Sequence, residues 1–304
     1  MDNICHTLVG ALCAEAGLKT RTRFANATLM IAANLPDIDV AVFATGTSSV
    51  AFRRGITHGV LAQACLPPLL ALTMWLVAKR RISVGPPAHV GWLIALSYIG
   101  VLSHVGLDYL NSYGIRLLMP LSATWFYGDT LFIIDPWLWL IMGLGVWRAR
   151  RSGTSRSARR AAVLASVYVV LMLASAQAAR RIVVREWTAS NGTAPAALMV
   201  GPRAVFPVAR DIIVDAGDHY VTGRFSWVPV SVRFDPEPVP KHDREPATIA
   251  ARDDATVRQF LVWSRFPRWD LTHEPDGVHV RVSDMRFPPG RRVAGFSAET
   301  IVQR

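Results

Sequence analysis

His104 and Asp108 stand four residues apart inside an otherwise apolar stretch, Ser103-His-Val-Gly-Leu-Asp. On a helix that spacing puts an imidazole and a carboxylate on one face, where they can share a metal ion or act as ligand and orienter. Ionisable groups in apolar segments are expensive and usually face a functional cavity. This chain has a dense set of them: His6, Asp37 and Asp39 in Asn34-Leu-Pro-Asp-Ile-Asp, Arg54 and His58 in Arg54-Gly-Ile-Thr-His, and Asp135 before Pro136. Three imidazoles with several carboxylates suit zinc, manganese or iron better than magnesium or calcium, which prefer oxygen alone. The candidate ligands lie among His6, Asp37, His58, His104 and Asp108, with zinc the first choice of divalent transition metal. Such an ion would acidify water from a pKa of ~15.7 to about 7. Asp39 or Asp135 would orient or deprotonate that water, and Arg54 would engage an anionic group in a bidentate fork.

Each residue taken singly has an ordinary explanation. A lone histidine such as His6 near a helix end is commonly an interfacial polar group. Asp37 can cap a helix that begins after Pro36, and Asp135 one that starts at Pro136. Arg53 and Arg54 can meet lipid phosphates. Trp125, Phe126, Tyr127, Trp137 and Trp139 read as an interfacial aromatic belt. Cys5, Cys13 and Cys65 form no CxxC pair and read as small hydrophobes. His89 falls near the cytoplasmic end of its apolar segment, away from the others, and His219, His242, His273 and His279 show no ligand spacing. His104 with Asp108 is the pair these readings explain least well.

The elements that must position these groups are apolar. Six segments stand out, at residues 4–18, 24–44, 60–78, 88–110, 131–147 and 161–179. A spanning helix needs ~20 residues, which the third, fourth and sixth supply easily. Pro36 should break the second segment and turn Asp37 and Asp39 into a cavity. Met1-Asp2-Asn3 offers no positively charged start, so a cleaved leader is not expected. The chain carries a net charge of +11, but its basic residues cluster beside apolar segments. Lys19, Arg21 and Arg23, then Lys79, Arg80 and Arg81, then Arg148, Arg150, Arg151, Arg156, Arg159 and Arg160 all fall on one set of loop ends. Nucleic acid is therefore not the expected partner, and this side should be cytoplasmic. On that topology every candidate site residue falls toward the opposite face. Residues 180–304 hold no long apolar run. Short strands are expected at 182–187, 211–215, 219–225, 227–234 and 277–283, with one helix within 247–265. The predicted architecture is an α-helical polytopic membrane domain of about five or six segments over residues 1–179. A smaller β-rich α+β soluble domain over 180–304 follows it, on the periplasmic or extracellular side of a bacterial-type inner membrane.

Four ordered motifs carry a family resemblance. Met1-Asp-Asn-Ile-Cys-His-Thr-Leu-Val-Gly10, Asn34-Leu-Pro-Asp-Ile-Asp39, Arg53-Arg-Gly-Ile-Thr-His-Gly59 and Ser103-His-Val-Gly-Leu-Asp108 resemble those of the YdjM-type (DUF457) inner-membrane proteins, described as membrane-bound metal-dependent hydrolases. The resemblance implies a metal role for His6, Asp37, Asp39, His58, His104 and Asp108. Cys5 departs from it where Thr or Ser is expected, and Arg53 where a His often precedes the Arg-Gly pair. The expected function is hydrolysis of an ester or phosphoester near the lipid headgroups, with the bilayer as partner and a lipid as a candidate substrate. An ion or solute transporter, and a non-enzymatic scaffold with a structural metal, are the rival expectations.

Overall fold

The computed structural model describes residues 1–45, 49–80, 87–287 and 296–303. Asp2 opens the first helix, α1 (Asn3–Glu15), by accepting from the Ile4 and Cys5 amides. Helix α2 (Ala25–Ala32) ends just before Asn34-Leu-Pro, where Pro36 disfavours further helix. The chain continues as a tighter 3-10 stretch, Leu35–Thr45. A short helix α3 (Ser49–Phe52) and a 3-10 turn, Ile56–His58, lead into α4 (Val60–Arg80). Then follow α5 (Val90–Tyr109), an irregular connection, α6 (Pro136–Ser152) and the 36-residue α7 (Arg156–Asn191). Among the described residues α4, α5 and α7 are long and apolar enough to cross a membrane. Helices α1 and α6, with 13 and 17 residues, are shorter than the ~20 a span requires. Arg81 of the expected basic cluster lies outside the described residues.

The chain divides into two units, Met1–Asp39 with Arg54–Ser175, and Val40–Arg53 with Ala176–Arg304. In the first unit small residues let backbones approach. A Cβ on Gly10 of α1 would lie 2.8 Å from the Leu29 carbonyl oxygen of α2, and one on Gly100 of α5 would overlap Ala32. Close contact through small side chains is how helices associate where lipid removes the hydrophobic drive. Helix α4 contains Pro67 and Pro68, and Pro68 leaves the Ala64 carbonyl without its helical donor. The Tyr98 hydroxyl of α5 donates to that carbonyl at 3.1 Å, a repair that apolar surroundings demand.

The second unit is built on antiparallel sheets. Strands β1 (Ala197–Pro202), β2 (Ala209–Asp215), β3 (His219–Trp227) and β4 (Val230–Phe234) pair in order, and β5 (Val239–Pro240) adds to β3. Leu198, Val200, Ile212 and Val214 pack with Ala179, Val183 and Trp187 of α7. Met199 and Ile213, on the alternate face, pack with Tyr220 and Phe266. Helices α8 (Pro246–Ala251) and α9 (Ala255–Trp263) precede a second sheet, β6 (Pro267–Glu274), β7 (Gly277–Asp284) and β8 (Ser297–Val302).

Two sequence expectations are corrected here. Residues 182–187 are helical, within α7. Their Ile-Val-Val run suggests a strand, yet Ala179, Val183 and Trp187 fall at four-residue intervals and share one buried stripe. The single helix expected within 247–265 is two, because Asp254 accepts from the Thr256 and Val257 amides and starts α9 afresh.

Candidate metal centre

Three helix ends and one turn build the site inside the first unit. His6 lies four residues before Gly10, and His104 four residues after Gly100. The two glycine contacts therefore fix the helix faces that carry these histidines. The rings stack with centroids 3.8 Å apart and an interplanar angle of 22°. His104 Nδ1 lies 2.8 Å from the Ala33 carbonyl oxygen at the end of α2. A carbonyl only accepts, so Nδ1 carries the proton and Nε2 of the neutral ring presents a lone pair. His58 is arranged alike. Its Nδ1 lies 3.0 Å from Thr57 Oγ1 and 3.6 Å from Asp39 Oδ2, which leaves Nε2 facing inward.

The two inward Nε2 atoms are 3.1 Å apart. At that distance either one ring donates to the other or a cation lies against both nitrogens. Asp108 Oδ2 lies 3.5 Å from His58 Nε2 and 3.6 Å from His104 Nε2. Asp37 Oδ1 lies 3.8 and 3.9 Å from the same two nitrogens. One donor atom from each of Asp37, His58, His104 and Asp108 falls within 4.8 Å of the others, and all four residues are buried. This group is able to hold a metal ion. The far nitrogens of His104 and His58 face a carbonyl and a carboxylate, as in metal-binding histidines generally. His6 stands beside the group, its Nε2 3.4 Å from Asp108 Oδ1. Neither of its ring nitrogens has a hydrogen-bond partner among the described residues, although the ring is fully buried.

Arg54 has a different place from the one expected. Its Nε lies 2.8 Å from Asp108 Oδ2 and its Nη2 donates to Oδ1 at 3.0 Å. Nη1 donates to Asn111 Oδ1 at 2.9 Å, and the guanidinium lies 4.6 Å from the Tyr113 ring centroid. With every nitrogen committed to protein, Arg54 aims Asp108 rather than binding an external anion. The Met1 amino group also donates to Asp108 Oδ1. Asp39 Oδ2 accepts from the Arg54 amide at 2.7 Å and from Thr57 Oγ1 at 3.3 Å. Asp135 is likewise corrected. Its Oδ1 caps α6 through the Trp137 and Leu138 amides and its Oδ2 accepts from the Tyr168 hydroxyl at 2.9 Å, so the carboxylate is consumed in structure.

The connection from α5 to α6 contributes residues that sequence reading passed over. Asn111, fully buried, receives Arg54 and also accepts from the Tyr113 amide at 2.8 Å. Its place three residues after Asp108, on the same side of the helix end, was the available signal. Trp125 and Tyr127, expected in a belt, stack on each other beside Gly114, and the Arg116 guanidinium lies 4.9 Å from the Trp125 ring centroid.

Apolar helices around a buried group able to bind a cation define a membrane protein with a candidate metal site. The chain belongs to the YdjM inner membrane protein family, whose model matches residues 1–183. It is also similar to the uncharacterized protein YfhP of Bacillus subtilis (strain 168), with 25% identity over 260 residues, covering 83% of this chain and 74% of that one. No solved structure matches it significantly.

Proposed function

We propose that this chain is a multi-pass inner-membrane hydrolase. A divalent transition metal at Asp37, His58, His104 and Asp108 serves hydrolysis of an ester or phosphoester at headgroup depth. The observation that carries the reading is the pair of facing Nε2 atoms, 3.1 Å apart and flanked by two carboxylates. That mixed nitrogen and oxygen donor set favours zinc among the common ions. When bound, the ion supplies Lewis acidity, polarising an ester or phosphoryl oxygen and making water nucleophilic near neutral pH.

The chain's own side chains do the rest. Arg54 and Asn111 hold Asp108, the Ala33 carbonyl fixes the tautomer of His104, and Thr57 holds the His58 ring. His6 offers a further imidazole. Asp39 lies beside His58 Nδ1, outside the four-donor set, and orients that ring. The helices α1, α2 and α6 complete a membrane domain of five or six segments with α4, α5 and α7. The basic loop ends orient it so that the site and residues 180–304 face the periplasm or exterior.

Burial of all four donors favours a second reading, in which the ion is purely structural and the coordination sphere is closed. Metal content of the detergent-purified chain, measured by plasma mass spectrometry beside His104→Ala, tests the site. Near-stoichiometric transition metal lost in the variant is the expected result, and a folded, metal-free wild type after metal is supplied would overturn it. Hydrolysis of phosphoesters by the loaded protein, absent in His104→Ala, separates the catalytic from the structural ion.

A further inference from the structure

The segments that surround the site are tied to one another. Asp39 accepts from the Arg54 amide and from Thr57, the Arg116 amide donates to the Arg54 carbonyl at 2.9 Å, and Gly59 packs against the Met119 backbone. These three segments, 37–39, 54–59 and 116–121, bury Asp37, Arg54, His58 and Arg116 and turn apolar side chains outward. Ile38 is 57% exposed, Ile56 64%, Leu118 41% and Leu121 80%. Single exposed hydrophobes are unremarkable, but a set of four on three mutually bonded segments around one polar site is a surface that water does not favour.

What covers it follows from the next element. Gly59 alone separates the turn bearing Ile56 from α4, one of the candidate spans. The outward residues of α4 begin at Leu61 and continue through Leu69, Leu72 and Leu76, all exposed. The collar is thus continuous with a helix surface that only lipid can solvate. We infer that Ile38, Ile56, Leu118 and Leu121 form an acyl-chain platform. On this inference the substrate is a membrane phospholipid, whose headgroup ester reaches the metal centre while its chains stay in the bilayer. The inference rests on the hydrolase reading for its catalytic part and on the exposed collar for its lipid part.

The test uses the full chain in nanodiscs of phosphatidylethanolamine and phosphatidylglycerol containing a phospholipid with a photoreactive diazirine in its acyl chain. After irradiation, peptides spanning 54–59 and 116–122 should carry the label. Ile56→Ser with Leu121→Ser should reduce labelling there, and raise KM for a long-chain phospholipid, about tenfold without change in metal content. Leu121→Ser alone, at a position 80% exposed, leaves packing intact and should give a smaller loss of label. Label on α4 with none on either collar peptide would overturn the platform. So would a double variant that is metal-loaded and labels like the wild type. A labelled collar on a chain that binds no metal would instead sink the hydrolase reading and leave only a lipid contact.

Discussion

Asp108 and Asp284 are both completely buried carboxylates gripped by an arginine, one in the helical unit and one in the β-rich unit. Their remaining partners differ. Asp284 receives the amides of Arg265, Phe266 and Arg286, the Ser264 hydroxyl, and two nitrogens of the Arg286 guanidinium. Backbone amides are fixed donors, so its lone pairs are consumed and nothing is left for a ligand. Around Asp108 the neighbours beyond Arg54 are the Met1 amine and three imidazoles at 3.4–3.6 Å, one of which has no hydrogen bond at all among the described residues. A buried charge closed by backbone is architecture. One whose neighbours are ring nitrogens and a second carboxylate belongs to a group able to hold a cation, and burial alone does not tell the two apart.

The sharpest break of this comparison exchanges the readouts. Asp284→Ala strands the buried Arg286 and three amides, and should destabilise the β-rich unit by about 3–5 kcal/mol while metal content stays as in the wild type. Asp108→Asn keeps the shape and should abolish metal loading. Thermal unfolding and elemental analysis of both variants check this, and metal retained in Asp108→Asn would remove the distinction. Next in size is the support around His58. Thr57→Val or Asp39→Asn should lower metal affinity about 10–100-fold in a chelator competition, as loss of an orienting group does elsewhere. An unchanged affinity in both would mean that His58 is held by packing alone.

Acid should separate the units further. Burial pushes the Asp284 carboxyl up, but the Arg286 charge, with hydrogen bonds from Arg286 and Phe266, prevails and holds its pKa below the ordinary value. Its stabilisation is therefore fully present above the unfolded carboxylate pKa of about 3.9 and is lost as pH falls through the lower folded value. The stability gap between wild type and Asp284→Asn, followed by thermal melts from neutral pH downward, should persist through mild acid and close only below about pH 4. A gap that closes nearer neutrality would show that another group governs it.

Much of the site could be read in the sequence because expensive residues advertise themselves. His104 and Asp108 stood in an apolar run at helical spacing, and Pro36 marked the break that releases Asp37. What stayed hidden was partnership. Nothing in Arg54-Gly-Ile-Thr-His shows that the guanidinium turns inward to Asp108 and Asn111, a contact spanning more than fifty residues. Asp135 before a proline fitted a cap and a site equally, and only its bond to Tyr168 decides between them. In the β-rich unit, strands β2, β3 and β7 were visible as alternating apolar runs. Residues 182–187 misled because β-branched residues signal strand locally, while the apolar spacing that makes them helix extends back to Ala179.

The smallest expected effect concerns the glycines that bring the two stacked histidines together. A methyl group at Gly100 would overlap Ala32, whereas Gly106, six residues further along α5, faces open space. Gly100→Ala must push α2 and α5 apart, at a cost of about 1–3 kcal/mol. The displacement moves the Ala33 carbonyl that fixes His104, so metal affinity should fall along with the melting temperature. Gly106→Ala adds a methyl with nothing to meet and should leave metal binding unchanged, with stability equal to or above the wild type because alanine favours helix over glycine. If both variants bind metal as the wild type does, close helix packing is not what holds the imidazoles in register. If only Gly100→Ala loses it, the metal centre of the helical unit is set by the approach of two backbones, as Asp284 in the other unit is set by its amides.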